Sequence, residues 1–77
     1  MRAIQVHTLY RHFKGKLYYV EAVAIDSETE REMVVYRAMY GERKLWVRPK
    51  EMFLSAVDAG KANPTGQHYR FEVYQGR

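Results

Sequence analysis

The chain has 77 residues, no cysteine and a formal net charge of +4. That length makes one domain, and without thiols there is neither a disulfide staple nor a thiolate zinc site. No apolar run approaches the roughly 20 residues of a membrane-spanning helix. Met1 to His7 lacks the apolar core of a secretion signal, so the expectation is a cytoplasmic protein with no membrane partner. The pI of about 9.5 is compatible with a polyanionic partner but does not demand one. Seven tyrosines and many β-branched residues favour strands.

Thr8 to Phe13 reads as a first strand, with Thr8, Tyr10 and His12 on one face and Leu9, Arg11 and Phe13 on the other. Neither face is cleanly apolar, which suggests an edge strand. Lys14-Gly15-Lys16 is a tight turn. Leu17 to Ile25 is a second strand, and its even positions Tyr18, Val20, Ala22 and Ala24 are assigned to the core. Asp26 to Glu32 is a polar loop in which Asp26 and Ser27 set a turn. Its carboxylates are too irregularly spaced for a calcium loop, and no metal site is expected.

The chain is organised around Val34 to Phe53. Met33 to Tyr40 is apolar on both faces except for Arg37, as a central strand is. Gly41 to Lys44 turns the chain, and Leu45 to Arg48 returns it with Trp46 and Arg48 on one side. Pro49 stops the ladder and begins a helical turn through Phe53. Asp58 to Gly66 is turn-rich and expected to be the most mobile segment. Tyr69 to Tyr74 alternates cleanly and closes the sheet. The pattern predicts an all-β fold, a small SH3-like antiparallel barrel of five to six short strands with one helical turn near Pro49–Phe53.

Tyr10 to Gly15 (YRHFKG), Asp26 to Thr29 (DSET), Val34 to Gly41 (VVYRAMYG) and Leu45 to Phe53 (LWVRPKEMF) resemble, in this order and at similar spacing, a family of small bacterial proteins known only as a domain of unknown function. Its members look like Y-x-H-[FY]-K-G, H-S-E-T, VVY-x-A-L-Y-G and LWVRP-x-E-M-F. The resemblance implies an SH3-like barrel and brings no activity, substrate or catalytic residue. The chain departs from the family pattern at Asp26, where histidine is usual, and at Lys50, often leucine. Its tail after Val57 is also longer and more polar, although Arg70-Phe71 resembles the family's terminal R-F.

Three constellations are candidates for function. His12, on the same strand face as Tyr10, is a binding or acid-base histidine, or else a half-buried strand residue. Arg48 and Glu51 flank the proline turn, as a bracing ion pair or with the guanidinium presented to an anionic ligand. Tyr36, Tyr40 and Trp46 are a cross-strand core cluster or an exposed aromatic groove of the kind that holds peptides or stacks nucleobases. Arg37 belongs to the basic residues framing such a surface. No nucleophile elbow, phosphate loop or dinucleotide fingerprint is present, and neither a catalytic residue nor a cofactor is assigned. The function expected is a binding module recognising a peptide, a protein surface or RNA through the aromatic and basic face. The alternative is a small enzyme, or an accessory domain of one, with a pocket made by His12, Arg48 and Glu51.

Overall fold

The computed structural model describes residues 2–76. Five strands, β1 (Thr8–His12), β2 (Leu17–Ile25), β3 (Glu32–Ala38), β4 (Leu45–Pro49) and β5 (Phe71–Val73), form one antiparallel sheet in the order β4-β3-β2-β1-β5. One helical turn, α1 (Lys50–Phe53), follows β4. This is the small SH3-like barrel that the strand pattern predicts. It is half-closed, since β4 and β5 are the sheet's two ends and, among the described residues, only an isolated bridge, Ala56↔Tyr69, adds to the ladder.

Alternation sets the inner face. The register pairs Tyr10 with Tyr18, Tyr36 with Val20 and with Trp46, and His12 with Phe71. Opposed residues share a face. The inner side therefore carries Tyr10, His12, Tyr18, Val20, Val34, Tyr36, Trp46, Arg48 and Phe71. β1 lies between β2 and β5 rather than at an edge, because β5 returns to it after the long connection.

Pro49 caps α1 with extended backbone (φ −54°, ψ 138°). The turn drops Phe53 into the core with no exposure, while Met52 stays outside. Phe53 stacks on Phe71 at 4.1 Å between ring centroids and meets the edges of Tyr10 and Tyr36. Tyr10, Val20, Val34, Tyr36, Phe53 and Phe71 make the core. That cluster fills one end of the barrel.

One feature departs from the sequence expectation. A bulge between Val20 and Ala22 leaves Glu21 as the extra residue of β2. Beyond it the parity inverts, so Ala22 and Ala24 pair with Val35 and Met33 on the outer face and do not belong to the core. The turn-rich segment is anchored at its far end, through Thr65 and through Gln67 just beyond it. Gln67 is buried, its Nε2 donates to Arg11 O at 2.8 Å and to Tyr69 O at 3.0 Å, and its Oε1 accepts from Arg11 Nε. Thr65 Oγ1 donates to Phe13 O at 3.0 Å. These bonds tie the end of the connection to the main chain of β1 and of the turn that follows it.

Candidate functional site

The inner face is filled by Phe53 at one end and left open at the other. His12, Tyr18, Tyr36, Tyr40, Trp46 and Arg48 surround the open end. Tyr18 is its centre: its ring lies edge-on to Tyr36, Tyr40 and Phe71 at 5.4, 5.6 and 5.5 Å and to His12 at 6.2 Å. The Tyr18 and Tyr40 hydroxyls are hydrogen-bonded at 2.7 Å. Partial burial and the bond to Tyr40 push the Tyr18 phenol above its ordinary pKa.

Arg48 reaches inward from β4. Its Nε donates to the Tyr36 hydroxyl at 3.2 Å, and its guanidinium lies 5.9 Å from the Phe71 ring centroid. Among the described residues no carboxylate pairs with it. Lys16 Nζ sits over the Tyr40 ring at 4.8 Å, a cation-π contact.

His12 ends β1 where the Gly15 turn begins. The Lys14 N–H donates to His12 Nδ1 at 3.1 Å. Partial burial, then the cations Arg70, Arg48, Lys14 and Lys61, hold its pKa down to about 4. At neutral pH the imidazole is therefore uncharged, with Nδ1 accepting and Nε2 carrying the proton.

The residues singled out in the sequence divide into three groups. His12, Tyr36, Tyr40, Trp46 and Arg48 come together at the open end. Tyr36 is a core residue, 5% exposed, that contributes its hydroxyl, whereas Trp46 is 49% exposed. Tyr10 is buried deeper, and its hydroxyl accepts from Gln5 N at 3.0 Å.

Arg37 and Glu51 lie elsewhere. Arg37 is on the outer face, with Nε on Glu21 Oε2 at 3.2 Å and Nη1 on Arg43 O at 2.9 Å. Glu51 does not brace Arg48. Its carboxylate takes Arg31, and it lines a separate cavity of about 520 Å³ with Arg2, Arg31, Glu32, Lys50, Leu54 and Tyr69. The reason is geometric: Arg48 turns inward on the strand, while the helical turn carries Glu51 outward. His12, Arg48 and Glu51 thus do not line one pocket.

Tyr18, Arg70 and Lys61 were missed in the sequence. Tyr18 reads as core because it alternates with Val20. Arg70 and Lys61 act on His12 through their charge alone, and the long connection that positions them carries no periodic signal.

Among the described residues no His/Cys/Asp/Glu group is placed to hold a metal ion, and no helix is long and apolar enough to cross a membrane. No curated protein and no solved structure matches the chain. A family model covers residues 8–73, from the start of β1 to the end of β5. The chain belongs to the family described as a protein of unknown function (DUF1653).

Proposed function

We propose that this protein is a binding module that recognises a peptide or protein surface carrying an anionic group, with the open aromatic and basic end of the barrel as its contact surface. The observation that carries this reading is Arg48. Tyr36 orients its guanidinium beside the rings, and no carboxylate among the described residues neutralises it. An oriented guanidinium suits a carboxylate or phosphate. Trp46, half-exposed on the same side of β4, supplies apolar contact area, and Trp and Arg are the residues that most often dominate binding energy. A cytoplasmic location remains part of the proposal.

A second reading is single-stranded RNA. Four cations, Arg70, Arg48, Lys14 and Lys61, act on His12 beside stackable rings, and bases stack on such rings next to phosphate-binding cations. The two readings differ in salt response, because counterion release makes nucleic-acid affinity fall steeply with salt. The enzyme alternative has less support, since the cavity that Glu51 lines includes neither His12 nor Arg48.

The test is a peptide-display selection run in parallel on the native protein and on Trp46→Ala and Arg48→Gln. Acidic peptides enriched on the native protein and lost on both variants are expected. Enrichment indifferent to both substitutions, or none at all, contradicts the proposal. Labelled single-stranded RNA titrated at low salt separates the second reading.

A further inference from the structure

The free edge of β4 has both a hydrogen-bonding pattern and a charge pattern. Ala38 N donates to Lys44 O at 2.9 Å, and the register continues through Tyr36↔Trp46 and Val34↔Arg48. In an antiparallel pair the residues that exchange backbone bonds recur at every second position. Lys44, Trp46 and Arg48 therefore turn their main-chain groups toward β3. Leu45, Val47 and Pro49 turn theirs toward the open edge, and Pro49 has no N–H to donate. β4 ends the sheet, and among the described residues nothing pairs with that side. The edge offers the N–H and C=O of Leu45 and Val47, residues that are 51% and 61% exposed. Such an edge is a template for an added strand.

On the inner side β4 and its approach read Lys44, Trp46, Arg48: cation, aromatic, cation. Lys44 and Trp46 also line a groove of about 320 Å³ with Ala38, Tyr40, Glu42 and Arg43, in which Lys44 makes a long, exposed ion pair with Glu42 (3.7 Å) that solvent screens. A strand added here sets one residue opposite each of the three, since alternate side chains share a face. Opposite charges across a strand pair stabilise it and like charges destabilise it. The complement is therefore acidic, apolar or aromatic, acidic. A second copy of β4 is a poor complement. The register centred on Trp46 sets Lys44 against Arg48 of the other copy, and the register centred on Val47 sets Leu45 against Pro49, which cannot donate.

We infer that an extended peptide with acidic, aromatic or apolar, and acidic residues at alternate positions adds to β4 as a sixth strand. The inference rests on the binding-module reading and specifies its partner. The test titrates the protein with a capped peptide in which glutamate, tyrosine and glutamate alternate with threonine, followed by Trp46 fluorescence and by amide exchange in NMR. Saturable quenching is expected, with the Leu45 and Val47 amides slowed roughly tenfold or more.

The lysine-for-glutamate peptide and a peptide N-methylated on the amides facing β4 should not bind. Val47→Pro, which removes an outward N–H only, should weaken binding roughly tenfold. The N-methylated peptide gives the same comparison without altering the protein. Quenching with unchanged exchange at Leu45 and Val47 overturns strand addition and leaves the broader binding reading standing. Equal binding of the lysine peptide, or no response to the glutamate peptide, also overturns it. Protection of both amides in a peptide-free sample of doubled mass overturns it in favour of a second copy.

Discussion

Tyr36 and Arg48 are joined across β3 and β4 by a hydrogen bond of 3.2 Å from Nε to the phenol oxygen. The pair links the buried core to the open end, because the Tyr36 ring packs on Phe53 and Phe71 at 5.4 Å each. Tyr36→Phe keeps the ring and removes only the acceptor. It should cost about 1 kcal/mol or less in a urea melt. Peptides selected on the native protein should bind the variant more weakly, because Arg48 loses its orientation. Unchanged affinity would mean that the hydroxyl does not position Arg48.

Phe53 and Trp46 separate the filled end of the barrel from the open one. Phe53 is fully buried, and Phe53→Ala should cost about 3–5 kcal/mol. Trp46 is half-exposed already, so Trp46→Ala should cost only about 1 kcal/mol. Chemical denaturation of the two variants gives the comparison. Equal losses would place Trp46 in the core.

Gln67 pins the long connection to β1. Gln67→Ala leaves the Arg11 carbonyl without its side-chain donor and should cost about 1–3 kcal/mol. Hydrogen exchange should accelerate through Asn63 to Tyr69. A neutral result would mean that water replaces the amide without loss.

His12 makes stability depend on pH. Its pKa falls from the ordinary 6.5 in the unfolded chain to about 4 in the fold. Between those values the unfolded state binds the extra proton, so stability rises with pH across the window. The contribution is fully present above 6.5 and is lost as pH falls toward 4. His12 is partly solvated, so screening reduces the effect to on the order of 1 kcal/mol. Urea melts across the window should show a shallower slope for His12→Gln. An identical slope would refute the assignment.

The strand order of the first four elements was legible because alternation and turn residues are local signals. The Asp26 turn was legible for the same reason: Oδ1 accepts the N–H groups of Glu28 and Thr29, at 2.9 and 3.3 Å. Those bonds also hold the carboxyl below its usual pKa. The position of β1 was not legible, since β5 reaches it over a connection with no periodicity. The bulge at Glu21 was hidden as well: one extra residue inverts the parity of Ala22 and Ala24 without changing composition. Arg37 alternates with Tyr36 and so takes the outer face, away from the aromatic surface it was expected to frame. Trp46 and Arg48 share a side by simple alternation, and this part of the candidate site was read from sequence alone. Tyr18, the centre of the cluster, was hidden by its resemblance to an ordinary core residue.

The open end of the barrel is the proposed ligand surface. The most direct measurement is NMR mapping of the native protein with a peptide recovered from the display selection. The expected result is that the largest shifts fall on the Trp46 indole N–H, the Arg48 Nε–H and the signals of His12 and Tyr40. Largest shifts around Arg31, Glu51 and Tyr69, which line the separate cavity, would contradict it.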